Sequence, residues 1–222
     1  MIILLLLLLL QIVKSTQYGI YTDSSISKSG ITCLRNIGFN GFFVEQGYYG
    51  AYDEETNQTK NYNSHAKNVN QYALESGFSS TTIEATIQLC YECGDFRNQI
   101  VSFLNKVKEE ELHFKILWFI VDDTWNGSYY KNRGLIELIG SYIRCEDFSC
   151  GIKVSSNIWE KVFGETFTFS KASSWYLWFT QIDYRRDFNN FVPFGGWENP
   201  FMKEYKTNVK MCGYTVSYNF KL

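Results

Sequence analysis

The sequence predicts an α/β fold, a single domain that forms an irregular (β/α) TIM-like barrel over residues 16–222. Short apolar runs alternate along the chain with segments whose apolar residues recur at helical spacing, and this order is typical of parallel βαβ units. About eight such units occur with no Pro/Gly/Ser-rich linker between them, which favours one closed barrel over an open sheet. The helical segments thin out towards the C-terminus, so the barrel is expected to be irregular there.

The first part of the barrel is expected to contain three strands and three helices. A strand over residues 18–23 precedes a helix over 29–38, which ends at Gly38 because glycine suits the position after a helix. The helix over 96–112 has apolar residues every three or four positions. The other predicted elements of this part are strands at 40–47 and 81–90 and a helix at 59–77.

The second part of the chain begins with a buried strand over 114–122, "FKILWFIVD", which places Asp122 at its end. The remaining predicted elements are helices at 131–147 and 157–164, strands at 150–157 and 174–181, and a closing pair of strands at 201–207 and 214–220. In a barrel of this kind the working residues lie where each strand ends and its loop begins. This rule selects Asp23, Glu45, Asp122, Asp123, Ser217 and the end of the strand at 174–181.

The first fifteen residues are predicted to be a secretory signal peptide. The unbroken apolar run ends at Leu10, and even Met1 to Val13 would span only about 20 Å as a helix, against about 30 Å for a bilayer core. Val13 and Ser15 suit the small-residue positions of a signal-peptidase site, so cleavage is expected after Ser15. The mature chain is then expected to be secreted or delivered to a vesicle or lysosome lumen without a membrane span; a retained anchor is the alternative.

Charge argues against one class of partner. The chain has 21 Lys and Arg against 23 Asp and Glu, and no basic block occurs anywhere. Binding to nucleic acid rests on clustered Lys and Arg, so no nucleic-acid partner is expected. Two N-glycosylation sequons, at Asn57 and Asn126, lie in polar, turn-rich segments where a secreted glycoprotein would carry its glycans. The chain is expected to be a monomer.

Six cysteines lie in the mature part of the chain: Cys33, Cys90, Cys93, Cys145, Cys150 and Cys212. An even count in an oxidising compartment predicts disulfide bonds. Spacing favours Cys90–Cys93 and Cys145–Cys150 as local bridges, which leaves Cys33–Cys212 to tie the first helix to the closing strands; other pairings remain open. The "CYEC" segment also fits a zinc or redox motif, but no second Cys pair or His cluster completes a site, so no metal is expected.

The C-terminal stretch "NNFVPFGGWENPFMKEY", followed by "CGYTVSYNF", resembles the secreted animal and protist lysozymes of glycoside hydrolase family 25. The similarity extends in order through "YGIYTDSS", "TCLRNIGFNGFFV", "KILWFIVD" and "YLWFTQ", so it covers nearly the whole mature chain. The resemblance implies an irregular (β/α) barrel and, in active members, cleavage of the glycan strands of bacterial peptidoglycan. Bacterial cell-wall glycan or a related polysaccharide is therefore the expected partner, and no cofactor is implied.

Cleavage of a glycosidic bond needs one carboxylic acid to protonate the leaving oxygen and a second carboxylate to stabilise the developing cation. Active family members provide an Asp-x-Glu pair at the end of a central strand and one Asp on each of the first and last strands. The matching positions in this chain are Tyr21, Ile120, Asp122 and Ser217. Only Asp122 remains an acid, and its side chain is shorter than the Glu of the family.

Three other acids, Asp23, Glu45 and Glu84, are candidates for recruitment into the cleft. The alternative for each is a solvated acid at a strand end, and this alternative is favoured because acids are common there. Ile120 also argues against a working site, since a branched apolar side chain lowers the polarity that charge stabilisation needs.

Aromatic side chains make up 18% of the chain and could stack on sugar rings. Trp178 matches an aromatic residue near the substrate cleft of the family, and Tyr176 and Tyr205 are further candidates for glycan contact. Core packing is the alternative for each of them. Trp118, in the middle of a strand, is expected in the core, and Trp197 in the Gly-Gly-Trp turn is expected to be structural.

The leading hypothesis from the sequence is a secreted, lysozyme-like protein that recognises peptidoglycan or another glycan and has lost most or all hydrolysis. One alternative is an active muramidase that uses Asp122 with a recruited second carboxylate. A second alternative is a secreted interaction protein without glycan affinity. Whether the chain is an enzyme, and whether it serves innate defence, digestion or signalling, stays open at this point.

Overall fold

A computed structural model describes residues 17–22, 25–39, 41–53, 58–60, 66–93 and 95–221. Within these ranges the chain forms nine strands and five helices. The strands are β1 (Gln17–Thr22), β2 (Phe42–Asp53), β3 (Gln58–Lys60), β4 (Ile83–Leu89), β5 (Ile116–Ile120), β6 (Ser149–Val154), β7 (Tyr176–Thr180), β8 (Met202–Met211) and β9 (Tyr214–Lys221). The helices are α1 (Lys28–Asn36), α2 (Ala66–Glu75), α3 (Phe96–Glu109), α4 (Tyr129–Tyr142) and α5 (Ser156–Phe163). The predicted leader, residues 1–15, lies outside the described ranges.

All nine described strands belong to one curled sheet with the order β1-β9-β8-β7-β6-β5-β4-β2-β3. Strand β1 also pairs with β2, so the sheet curls round until its first strand meets β2. The neighbours from β4 to β8 are parallel, whereas β9 is antiparallel to both β8 and β1. The mixed α/β architecture agrees with the sequence-based prediction, but eight regular strand–helix units do not form, since the described chain between β7 and β8 contains no helix.

The strands alternate between an outer and an inner face. On β5, Leu117 and Phe119 belong to the large apolar core that includes residues of the surrounding helices. Ile116 and Trp118 belong instead to a small inner cluster with Trp178 of β7. Successive strand residues point to opposite faces, which explains why a continuously apolar strand serves both cores. The inner cluster is the floor on which any site at the strand ends must be built.

Four of the five described helices begin at Ser or Asp caps. Asp95 accepts a hydrogen bond from the Arg97 amide at the start of α3, and Ser155 accepts one from the Ile158 amide at the start of α5. Such caps satisfy amide donors that the first helical turn leaves free. No helix in the described part of the chain combines the length and the apolar character needed to cross a bilayer.

The last two strands form a tight hairpin whose two-residue turn is Cys212 and Gly213. Both turn residues have positive φ, 51° and 85°, as the favoured two-residue hairpin turn requires. Disulfide bonds join Cys33 to Cys212, Cys90 to Cys93 and Cys145 to Cys150, which is the pairing expected from the spacing. The first of these closes a separation of 179 residues, and in the chain-entropy treatment such a closure contributes about 5 kcal/mol.

Candidate functional site at the strand ends

The carboxyl ends of the parallel strands lie together at one end of the curled sheet, and this end is called the mouth below. Its inward-facing side chains are Tyr21 of β1, Gln88 of β4, Ile120 of β5 and Asp122 just after it, Lys153 of β6, Thr180 of β7, Glu204 of β8 and Ser217 of β9. Strand register brings them together: Tyr21 lies opposite Ser217, Ile120 lies between Gln88 and Lys153, and Thr180 lies opposite Glu204. Within the mouth Glu204 is buried, and the others are partly exposed.

The three positions that the resemblance matches to family acids, Tyr21, Ile120 and Ser217, all lie at these strand ends. Tyr21 and Ser217 are direct partners on neighbouring strands, and Ile120 is at the end of β5. The structure therefore collects the positions that the sequence comparison singled out, and the side chains there are a phenol, a hydroxyl and a branched hydrocarbon. None of these three groups can serve as the carboxylate pair that glycoside hydrolysis uses.

Asp122 is held by hydrogen bonds to both of its carboxylate oxygens. Gln88 Nε2 donates to Oδ2 at 2.5 Å, and the amide and hydroxyl of Thr124 donate to Oδ1 at 3.0 and 2.5 Å. The Thr124 contacts make Asp122 the cap of the turn that follows β5. Asp123 beside it is exposed.

Lys153 occupies the centre of the mouth. Its Nζ atom lies 3.2 Å from each carboxylate oxygen of Glu204. The same atom lies 4.0 Å from the ring centroid of Tyr21 and 4.3 Å from that of Trp178. A carboxylate and two aromatic faces together stabilise an ammonium that is only 11% exposed. These four residues are called the Lys153 cage below.

Glu84, a candidate for recruitment into the cleft, lies deep in the barrel and away from the mouth. It is the second residue of β4, near the amino end of the strand, and its side chain is fully buried. Lys221 Nζ donates to its Oε1 at 2.5 Å and Trp118 Nε1 donates to its Oε2 at 2.7 Å. Glu84 is therefore neither a recruited acid of the cleft nor the solvated strand-end acid that the sequence favoured, because the strand places it, buried and paired, at the opposite end of the barrel.

The side-chain positions of the other two recruitment candidates, Asp23 and Glu45, are not described. Asp23 lies outside the described residues. Glu45 lies in β2 opposite Thr22 and Ala85, and only its backbone is described. No group of three His, Cys, Asp or Glu that could hold a metal occurs among the described residues.

The predicted glycan contacts of three aromatic residues need correction. Trp178 faces inward in the small inner cluster, but it is fully buried, and its Nε1 donates to Asn219 Oδ1 at 2.9 Å. Tyr176 lies at the amino end of β7, away from the mouth, and stacks on Phe201 with ring centroids 4.2 Å apart. Trp178 is therefore a packing residue, and Tyr176, although 38% exposed, lies away from the mouth.

Tyr205 lies on the outer face of β8 and is only 3% exposed. Burial raises the pKa of its hydroxyl, and the nearby guanidinium of Arg186 partly opposes that rise. Tyr205 packs against Phe220 and Tyr218, in the larger core. It is therefore a core residue, and its expected contact with a glycan is also wrong.

The predicted glycosylation sites and structural tryptophans have clear positions where they are described. Asn126 is exposed, with its Nδ2 donating to Glu92 Oε1 at 2.9 Å, whereas Asn57 lies outside the described residues. Trp118 is fully buried, as expected for a core residue. Trp197 is also buried, and its Nε1 donates to the Trp175 carbonyl at 2.9 Å, as expected for a structural residue.

Sequence reasoning missed Lys153 and Glu204. A usable signal was present, because Lys153 is a charged residue in the otherwise uncharged strand segment "CGIKV" and Glu204 follows Lys203 among the apolar residues of "FMKEY". Strand alternation from Gly151 and Met202 places both on the inner face. A charged side chain on an inner face needs a partner, and these two partner each other.

Comparisons with known proteins agree with this architecture. A family model described as lysozyme-like protein 1 matches residues 13–205. Lysozyme-like protein 5 of Caenorhabditis elegans is 27% identical, over 97% of this chain and 96% of its own length. A probable glycoside hydrolase family 25 lysozyme of Dictyostelium discoideum is 24% identical, over 91% of this chain and 89% of its own length.

Two solved structures share the fold at low sequence identity. The catalytic domain of an endolysin from Listeria bacteriophage P40 superposes with a TM-score of 0.60 and 11% identity, covering 93% of both chains. A glycosyl hydrolase 25 of Streptococcus pneumoniae superposes with a TM-score of 0.60 and 12% identity, covering 93% of this chain and 87% of the other. At such identities the likeness concerns the fold alone. The family model, which spans most of the chain, shows that this protein belongs to the lysozyme-like proteins of glycoside hydrolase family 25.

Proposed function

We propose that this protein recognises peptidoglycan or a related glycan and has lost, or greatly weakened, the hydrolysis of its family. The observation that carries the proposal is the Lys153 cage. It places a fixed positive charge, held by Glu204, in the mouth where cleavage would need free carboxylates. The loss of acid at Tyr21, Ile120 and Ser217 supports the same conclusion.

A positive charge in the mouth opposes the chemistry directly. Hydrolysis passes through an oxocarbenium-like sugar, so positive charge develops on the substrate. At a separation of about 4–6 Å and an effective dielectric near 20, an unpaired ammonium would repel it by about 3–4 kcal/mol. That energy corresponds to a factor on the order of 100 to 1,000 in rate. Glu204 offsets part of this charge, so the missing carboxylates are the larger deficit.

A residual muramidase is the second candidate, and one observation favours it. Glu204 is a second carboxylate in the same mouth as Asp122, on the far side of the barrel from β5. If Lys153 released Glu204, Asp122 could donate the proton while Glu204 stabilised the sugar cation. This candidate does not need Asp23, Glu45 or Glu84.

The deciding experiment measures binding and hydrolysis on the same material. Purified full-length protein is incubated with dye-labelled peptidoglycan, and both retained protein and released dye are measured. Retention with no release supports the proposal. Release that disappears in Asp122→Asn but persists in the exposed neighbour control Asp123→Asn would establish the second candidate instead. If the protein is not retained and no dye is released, the result would support the remaining alternative, an interaction protein without glycan affinity.

Secretion is a further part of the proposal. The six cysteines are all paired in the structure, which suits an oxidising compartment. Expression of the full chain in a eukaryotic host should yield protein in the medium that begins at Thr16, as N-terminal sequencing would report. The exposed Asn126 should carry a glycan that an endoglycosidase removes. Protein retained in the cells with an intact leader would contradict secretion.

A further inference from the structure

A large cavity lies at the opposite end of the barrel from the mouth. Its lining comes from the segments that precede β4, β5 and β6, from one side of α3 and from the end of α4. Its volume is about 1010 Å³, at the upper end of the range of about 300–1,000 Å³ typical of ligand sites. It shares no described residue with the mouth and is called the basal cavity below.

One side of α3 forms an apolar wall that leads to a lysine. Val101, Leu104 and Lys108 follow one another at spacings of three and four residues, so they lie on the same side of the helix. Val101 and Leu104 are partly exposed, and Lys108 is exposed. The stretch from Val101 to Lys108 is about 10 Å long. A ligand that lies along it would meet hydrocarbon first and a positive charge at the end.

Aromatic rings and a disulfide bond complete the basal cavity. Phe114 and Phe148 lie in its lining with ring centroids 5.2 Å apart, and Phe148 is partly exposed. The loop 143–149 forms the opposite wall, and the bond between Cys145 and Cys150 ties that loop to β6. This wall is therefore fixed before a ligand arrives, which lowers the entropic cost of binding.

The charges of the basal cavity are divided between its two sides. On the α3–β5 side are Lys108 and Lys115, both exposed, and within the described part of the chain neither ammonium takes part in an ion pair. On the loop side, Arg144 and Glu146 form an exposed pair 4.0 Å apart, and Asp147 is exposed beside them. The side that carries the apolar wall is therefore also the positively charged side.

These features favour a hydrocarbon chain that carries a negative head group. Each CH₂ group that moves from water onto the apolar wall favours binding. A carboxylate head near Lys108 and Lys115 gains electrostatic attraction, whereas an ammonium head is repelled. A strongly polar ligand, such as a sugar, would lose water contacts against Val101, Leu104 and Phe148 without replacing them.

We propose that the basal cavity binds a monomeric long-chain carboxylate. Its hydrocarbon chain lies on Val101, Leu104 and Phe148, and its head group lies on the side that carries Lys108 and Lys115. The inference goes beyond the proposed function, because the basal cavity and the mouth lie at opposite ends of the barrel. The protein then carries two independent sites, one for a glycan and one for an amphipathic anion.

The first test is calorimetric titration of the full-length protein with octanoate, decanoate and dodecanoate. Affinity should rise about two- to fourfold for each added CH₂ group, since each one transfers hydrocarbon from water to the apolar wall. At equal chain length, decanoate should bind at least about fivefold more tightly than neutral decane-1,2-diol, and cationic decyltrimethylammonium should bind most weakly.

Two variants separate the contribution of the head group from that of the chain. The double variant Lys108→Gln, Lys115→Gln should lower the affinity for decanoate to that for the diol and leave the affinity for the diol unchanged. Leu104→Gln should weaken both ligands about 3- to 10-fold, since it places a polar side chain in the apolar wall. The matched control is Lys210→Gln, at an exposed lysine of the β8–β9 hairpin, and its affinities should equal those of the wild type. Melting temperatures equal to the wild type show that the variants are folded.

Each contrary result would overturn the proposal. Affinity that does not depend on chain length would exclude the apolar wall, and decanoate affinity unchanged in the double variant would exclude the two lysines. Binding to vesicles of anionic phospholipid without binding to monomeric decanoate would assign this face to membrane attachment instead. Retention of the double variant on peptidoglycan should equal that of the wild type, and a joint loss would contradict the independence of the two sites.

Discussion

The two ion pairs that lie inside the described barrel, one near each end, differ in tightness and in exposure. At the amino end, Lys221 lies 2.5 Å from Glu84, which also accepts a hydrogen bond from Trp118. At the mouth, Lys153 lies 3.2 Å from Glu204 and keeps an 11% exposed side chain. At both ends a lysine is paired with a glutamate, with a tryptophan beside the pair: Trp118 at the amino end and Trp178 at the mouth.

The inner face at the mouth therefore carries the same kind of charged group as the inner face at the amino end. In each case the inner face carries a cation whose charge is balanced by one acid and shielded by aromatic rings. An active site of this family would need the opposite, acids left free to face a substrate. The pair at the mouth is longer and slightly more exposed than the pair at the amino end. Mutation at the mouth should therefore lower the unfolding free energy less than mutation at the amino end.

The largest effect is expected at the amino end. Glu84→Ala leaves the buried ammonium of Lys221 without its carboxylate and removes the acceptor of Trp118, so it should lower the unfolding free energy by about 3–5 kcal/mol. Urea denaturation followed by tryptophan fluorescence measures the change. The control Glu146→Ala, at an exposed acid, should change stability by less than about 0.5 kcal/mol. Similar losses in both variants would refute a structural role for the inner pair.

A third ion pair, Asp183 with Lys203, extends the comparison to the outer side of β8. Asp183→Asn should lower the unfolding free energy by about 2–3 kcal/mol at neutral pH, because Lys203 is fully buried and keeps only neutral acceptors. Chemical denaturation at several pH values measures both this loss and its pH dependence.

The sign of the pH effect follows from the pKa of Asp183. Burial acts to raise that pKa, but hydrogen bonds from Lys203, the Arg185 amide and Asn190 bring it below its usual value of 3.8. The stabilisation is therefore complete above pH 3.8 and is lost as the pH falls through the lower folded pKa. Asp183→Asn should flatten this acid limb. Parallel acid limbs in the variant and the wild type would contradict the assignment.

A smaller stability change than at the amino end is expected at the mouth. Lys153→Met keeps an apolar side chain of similar length within the Lys153 cage but leaves the buried carboxylate of Glu204 without its cation, so stability should fall by about 2–3 kcal/mol. The same variant should release no dye from labelled peptidoglycan, since Tyr21, Ile120 and Ser217 supply no carboxylate. Measurable hydrolysis in Lys153→Met would instead favour the residual muramidase, with Glu204 freed to act.

Much of the architecture follows from sequence patterns. Most strands and helices follow the predicted order and the disulfide pairs match, because periodicity and spacing are local properties. The prediction of a helix from residue 59 is wrong at its start, since Gln58–Lys60 forms the short strand β3. The expected irregularity near the C-terminus corresponds to the helix-free β7–β8 connection and to the antiparallel β9.

The contents of the mouth were harder to predict. Alternation tells on which face of a strand a side chain lies, but its height in the barrel depends on register with strands distant in sequence. Glu84 and Trp178 both face inward but lie below the mouth, where one is a buried ion-pair partner and the other a core residue. The contact of Lys153 with Glu204 joins residues on non-adjacent strands, and such a contact has no signal in either segment alone.

The bond between Cys33 and Cys212 constrains how the protein is made. Cys33 leaves the ribosome early and has to stay a free thiol until almost the whole chain has been synthesised. The pairs Cys90–Cys93 and Cys145–Cys150 join neighbours and can form while translation continues. Strand β1 likewise waits for β9 before both of its edges are covered. Barrel closure is therefore a late, post-translational event, and a truncation before the final hairpin leaves an open edge and an unpaired thiol.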